Sequence, residues 1–149
     1  MPSSKQFSYE VSLAWDGRRA ATLAGDGQPP ILSAPPSDFP YGEGERWSPE
    51  QLFLAALASC TMISYLAHAE HRGVEVREYG AELGGTVMRR VEDGRYAFVH
   101  VHQRPRVVVA PGHADRAREL MGKAERDCFI SASTTAEVQN DWDISEAAS

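Results

Sequence analysis

Cysteine, clustered positive charge and long uninterrupted apolar runs are all scarce in this 149-residue chain, and each scarcity removes a class of function. The two cysteines, Cys60 and Cys128, stand 68 positions apart, which is no disulfide framework of a small secreted domain. Neither a CxxC nor an HExxH run offers a zinc site. The net charge is −6 and the basic residues are scattered, so the clustered lysines and arginines that grip phosphates are missing, and no nucleic-acid partner is expected. Gly84-Gly85 and Gly42-x-Gly44 lack the strand-to-helix setting and the lysine of a phosphate-binding loop. No basic stretch leads into an apolar run and a small-residue cleavage site at the N-terminus, so a cytoplasmic location is the default expectation.

What remains reads as one globular domain over residues 1–149, 42% hydrophobic and 24% charged, with loose ends at 1–5 and 145–149. Phe7, Tyr9, Val11, Leu13 and Trp15 occupy every second position, the alternation of a strand with one buried face. Asp16-Gly17 turns the chain, and residues 19–23 can return as a second arm. Prolines 29, 30, 35, 36 and 40 make residues 28–46 an extended loop, broken by a short strand at 31–34. Residues 74–91 and 96–109 form a long antiparallel hairpin around Glu92-Asp93-Gly94, with a boundary near Gly84-Gly85. Ala114, Ala117, Leu120, Met121, Ala124 and Cys128 recur at helical spacing, which puts Cys128 at the C-terminal end of a second helix, on its apolar side. Residues 129–133 break that helix, and 135–144 read as a last strand.

The chain is organised around residues 48–73. Ser48 can cap a helix, Pro49 suits its first position, and Gln51 completes a capping box; Gly73 can end the helix in the left-handed conformation. His68 and His71 sit near the negative end of its dipole. From Leu52 to Ala67 almost no polar stripe is left, which predicts burial on most sides. Ser59, Thr61, Ser64 and His68 interrupt the run, so a core helix is expected and not a membrane span. A chain of this length seldom surrounds such a helix alone, and part of its surface is expected to meet a second subunit.

Cys60 sits in the middle of that helix. Taken alone, a cysteine in an apolar helix is as well explained as a small hydrophobe. The pair is more interesting, because both thiols fall on helix faces that could pack together. His68 with His71, and His100 with His102, share faces, but the helix terminus and a solvated sheet face account for them without a metal. Phe53, Leu57, Met62 and Ile63 make the surroundings of Cys60 apolar.

These residues resemble the OsmC/Ohr family, the osmotically inducible and organic hydroperoxide resistance proteins, over roughly residues 7–144. Ser48-Pro49-Glu50-Gln51-Leu52-Phe53, running into Ala58-Ser59-Cys60, is similar to the family's Pro-Glu-x-Leu helix, with its peroxidatic cysteine ten residues after the glutamate. Cys128-Phe129-Ile130-Ser131 is similar to the segment carrying the resolving cysteine. The resemblance implies an α+β fold with antiparallel sheets and two core helices, assembled as an intertwined homodimer. It implies a thiol peroxidase in which Cys60 takes oxygen from a hydroperoxide as a sulfenic acid, Cys128 condenses with it to a disulfide, and an external dithiol, typically dihydrolipoyl, resets the pair. Sulfur supplies the redox change, so no cofactor or metal is expected. The alternative is a non-catalytic dimer that keeps the fold and binds a hydrophobic ligand.

A thiol among apolar side chains needs a nearby cation or hydrogen-bond donor to ionise. The family uses an arginine held by the glutamate matching Glu50. Ohr-type members carry it before the first Asp-Gly turn, where this chain has Trp15; OsmC-type members carry it in the loop before the Pro-Glu motif. Arg46 is the first candidate, with Arg18 and Arg19 second. Glu50 and Cys60 are separated by about 15 Å along one helix, at 1.5 Å per residue. A glutamate serving that thiol must therefore act through a long arginine, through a distorted helix start or, as expected here, from a partner subunit's helix.

Overall fold

The computed structural model describes residues 4–149; of the loose N-terminal end expected over residues 1–5, residues 1–3 lie outside the described residues. The chain divides into two compact units, Met1–Phe53 and Leu54–Ser149.

In the first unit, β1 (Ser12–Gly17), β2 (Ala20–Ala24) and β3 (Ile31–Ser33) form a three-stranded antiparallel meander. Gly17 at the first turn has φ +100°, a conformation that costs glycine nothing, and Arg18 beside it has φ 50°. The strand expected over residues 7–15 begins only at Ser12. Its face is not buried either: Phe7, Tyr9, Val11, Leu13 and Trp15 are all at least 65% exposed. Alternation marks a face able to be covered but does not say what covers it, and an edge strand has a free side. The proline-rich loop returns to β3 through a bridge between Ser33 and Trp47.

The long helix α1 (Pro49–His71) starts as its capping signals predict. Gln51 N–H donates to Ser48 Oγ at 3.1 Å, and Ser48 N–H donates to Gln51 Oε1 at 3.0 Å, a reciprocal capping box. Gly73, at φ +68°, ends the turn that follows. Burial on most sides is not found within one chain, because only Leu57, Thr61, Tyr65 and Ala69, one stripe at four-residue spacing, are buried. α1 has the length and apolarity of a membrane span, and Tyr65 and Ala69 of its buried stripe join the core of the second unit.

In the second unit, β4 (Val76–Arg89) and β5 (Tyr96–Val109) form the expected hairpin, and β4 runs through Gly84-Gly85 without a break. A Cβ on Gly85 would come within 2.6 Å of the Phe98 ring, so glycine there permits close cross-strand packing. The predicted second helix is broken into α2 (Ala114–Glu119) and α3 (Met121–Arg126), followed by a separate turn, α4 (Phe129–Ala132). The spacing identified the buried side, Ala117, Leu120 and Ala124, but not the interruptions. The last strand is also two, β6 (Glu137–Asn140) and β7 (Asp143–Glu146), which pair in parallel with successive stretches of β5. Pro105, with no N–H to offer, falls in the gap between the two registers. β7 runs past the expected end at residue 144, and Ala147 N–H donates to Val109 carbonyl.

The core of this unit gathers Tyr65, Ala69, Val74, Val107, Val109, Ala117, Leu120 and Ala124. Tyr65 stacks on Trp142 with centroids 5.0 Å apart, and its hydroxyl donates to Ala117 carbonyl. Burial pushes the Tyr65 phenol up to about 12.

Candidate functional site

The second unit brings Cys60 and Cys128 together. Cys60, at mid-helix on α1, is half-buried. It lines an apolar groove of about 560 Å³ with Ala56, Ile63 and Ala67 of α1 and Phe129 and Ile130 of α4. Cys128 is fully buried and stands at the N-cap of α4, with φ −76° and ψ 113°. Its sulfur accepts a hydrogen bond from Ser131 N–H at 3.4 Å, and Thr61 Oγ1 is 3.7 Å away. Burial pushes the Cys128 thiol up, the Ser131 N–H opposes that, the adjacent Cys60 thiol raises it again and the Thr61 hydroxyl lowers it. Two free thiols thus stand side by side, one open to a groove and one enclosed.

Of the four residues expected to line a substrate pocket, Ile63 alone lines this groove. Leu57 points into the core and is fully buried, while Phe53 and Met62 are half-buried. At the far end of the groove, His68 Nε2 meets Asp127 Oδ2 at 2.8 Å. Arg126 first, then His68, hold the Asp127 carboxyl down at about 2.

The arginine candidates and Glu50 belong to the first unit. Arg46 donates to Asp16 Oδ2 at 3.0 Å and to Ala21 carbonyl at 3.1 Å, with Glu43 at 3.6 Å. Thr22 first, then Arg46, lower the Asp16 carboxyl. Glu50 Oε1 is buried without a hydrogen-bond partner, and Glu50 and Arg46 line one cavity of about 280 Å³. Arg18 and Arg19 stand over the Tyr41 ring, 5.6 and 5.2 Å from its centroid. The structure thus puts Arg46 and Glu50 on one cavity wall, yet gives Arg46 to Asp16.

Among the described residues no three His, Cys, Asp or Glu side chains converge as metal ligands; His102 instead pairs with Asp141. Polar residues that no sequence motif singles out lie behind Cys128. Thr61 and Gln103 are buried, and Gln103 is the polar member of an inward-facing series that runs Val101, Gln103, Pro105, Val107, Val109. A lone amide on an apolar strand face was the signal available.

A mixed helix-and-sheet protein with paired free thiols beside an apolar groove is the class defined by this fold and site. The model of the OsmC-like protein family matches residues 42–143. The chain belongs to that family. It is 30% identical over 102 residues to the uncharacterized protein YmaD of Bacillus subtilis (strain 168), spanning 66% of this chain and 67% of that one. An OsmC-like protein of unknown function from Vibrio cholerae superposes with a TM-score of 0.83 at 23% identity, covering 92% of this chain and 99% of that chain. The organic hydroperoxide resistance protein OhrB of Bacillus subtilis superposes with a TM-score of 0.64, also at 23% identity, covering 93% and 98%. These structural likenesses establish the fold.

Proposed function

We propose that this protein is a cysteine-based peroxidase that reduces organic hydroperoxides to alcohols. The observation that carries this reading is the contact between a groove-lining Cys60 and an enclosed Cys128. The Cys60 thiolate attacks the terminal peroxide oxygen: an S–O bond forms, the O–O bond breaks, and the departing alkoxide takes a proton to become the alcohol. The Cys128 thiolate then attacks the Cys60 sulfenic sulfur; an S–S bond forms and the S–O bond breaks, releasing water after protonation. An external dithiol, such as a dihydrolipoyl group, returns the disulfide to two thiols and is itself oxidised. No metal or organic cofactor takes part.

Glu50 and Arg46 are the proposed activating pair, with Arg18 and Arg19 as alternatives. The orphaned Glu50 oxygen supports a carboxylate kept for a guanidinium, which requires Arg46 to leave Asp16. We place the protein in the cytoplasm as a homodimer in which Glu50 of one copy serves Cys60 of the other. Ile63 and Phe129, 60% and 62% exposed beside Cys60, support a covered face.

The test is to mix the reduced protein with an organic hydroperoxide or hydrogen peroxide and follow thiols and the Cys60–Cys128 disulfide by mass spectrometry. Disulfide formation is expected, faster with the bulkier organic peroxide; no oxidation by either would reject the proposal. The groove also fits a second reading, a non-catalytic dimer that binds a hydrophobic ligand there. Ligand-dependent protection without thiol oxidation would favour it.

A further inference from the structure

A directional hydrogen-bond chain runs through the second unit to Cys128. Glu125 Oε1 accepts from Asn140 Nδ2 at 3.1 Å, and Glu125 Oε2 accepts from Trp142 Nε1 at 3.1 Å. Gln103 Nε2 donates to Asn140 Oδ1 at 2.8 Å and to Thr61 Oγ1 at 3.2 Å. Thr61 Oγ1 donates to Leu57 carbonyl at 2.9 Å and stands 3.7 Å from Cys128 Sγ. Gln103, Thr61 and Cys128 are all buried.

The chemistry of the donors fixes the direction. An ionised carboxylate only accepts, so Asn140 must turn its amide nitrogen to Glu125 and its oxygen to Gln103. Gln103 must then give both amide hydrogens, one to Asn140 and one to Thr61. With a lone pair of Thr61 occupied, its single hydroxyl hydrogen is left for Leu57 carbonyl or for Cys128. A neutral thiol is a weak acceptor and loses that contest; a thiolate is a strong one and wins it.

We propose that Thr61, oriented by Gln103, Asn140 and Glu125, positions a hydroxyl hydrogen to stabilise Cys128 as a thiolate. This deepens the peroxidase reading and rests on it for its role in turnover. When a dithiol's thiolate attacks Cys60 of the Cys60–Cys128 disulfide, a new S–S bond forms to Cys60. The old one breaks, and its electron pair leaves on Cys128. A better-stabilised leaving thiolate departs faster. Ser131 N–H is the second donor to the same sulfur, while the titratable groups facing it, Cys60 and Tyr79, supply no positive charge. Glu125 is the charged end of the chain.

The test uses the full chain with Cys60→Ser, so that Cys128 is the one thiol and no peroxide reaction is needed, and follows thiolate absorbance against pH. Adding Thr61→Val is expected to raise the midpoint by about one pH unit, the loss of one hydrogen bond to a charged sulfur. Thr61→Ser is expected to restore it, which separates the hydroxyl from the packing of the methyl. Gln103→Met is expected to shift it the same way by less, and carries the test should Thr61→Val not fold. In the otherwise native chain, reduction of the disulfide by a small dithiol should slow about threefold or more with Thr61→Val, because the rate follows the leaving thiol's pKa with a fractional slope. An unchanged midpoint in Thr61→Val overturns the assignment, and an unchanged midpoint in Gln103→Met overturns the part given to Gln103. Failure of the native protein to react with peroxide would instead reject the peroxidase reading and leave the titration standing.

Discussion

The two faces of α1 differ in what they ask of their residues. The inward stripe, Leu57, Thr61, Tyr65 and Ala69, is buried; Tyr65 and Ala69 pack with β5, α2 and α3, and even the stripe's polar member is tied into a hydrogen-bond chain. The outward side, Cys60 and Ile63, borders a groove. Cys60 and Thr61 are neighbours in sequence, and about 100° of helical rotation separates a thiol that lines the groove from a hydroxyl buried beside Cys128. Apolar composition alone does not distinguish the two, because a residue's role on such a helix is set by what lies opposite it.

Removing each thiol in turn is expected to have the largest effect. Cys60→Ser should lower peroxide consumption roughly 10³-fold or more, whereas Cys128→Ser should still consume one equivalent of peroxide and accumulate a trappable sulfenic acid. Equal losses of the first oxidation in both variants would mean that exposure does not select the nucleophile. Next in size, Leu57→Ala should cost about 2–5 kcal/mol in denaturant unfolding, while Ile63→Ala should stay within about 0.5 kcal/mol for an uncovered position. A loss at Ile63 approaching that at Leu57, and growing with protein concentration, would show that a second copy covers the outward face. At the helix start, Ser48→Ala should cost about 1 kcal/mol by the same measurement, since it removes one half of the capping box.

The smallest effect concerns the groove's far end. Asp127 has its pKa held down at about 2 by Arg126 and His68, so its ion pairs stabilise the fold fully above the ordinary carboxylate value of 3.8. That contribution is lost as pH falls from there towards 2. Asp127→Asn should therefore lower stability above that window and flatten the acid limb of the stability curve within it; an unaltered limb would show that the contact is not held in solution.

Local signals were legible wherever one residue's chemistry meets a fixed backbone need. Ser48, Pro49 and Gln51 marked the helix start, Gly73 its end, and Glu92-Asp93-Gly94 the hairpin turn between β4 and β5. Where the outcome depends on partners distant in sequence, the reading was incomplete. The alternation of residues 7–15 suggested a covered face that one chain leaves exposed. Helical spacing from Ala114 to Cys128 could not reveal the interruptions at Leu120 and Asp127, which place Cys128 at a helix start and not a helix end.

By itself the sequence determined that there are two cysteines, a long capped helix carrying one of them, and a family motif around each. Those properties depend on neighbours within a few residues, or on a pattern of spacing that the covalent chain fixes. The tertiary structure alone decided that the thiols touch, that Cys60 opens to a groove while Cys128 is enclosed, and that Arg46 is engaged by Asp16. It also decided that a buried chain from Glu125 to Thr61 ends at Cys128. Each of these joins residues at least 30 positions apart or depends on such a joining, which no local propensity fixes, and solvent exclusion around Gln103, Thr61 and Cys128 strengthens the hydrogen bonds made there.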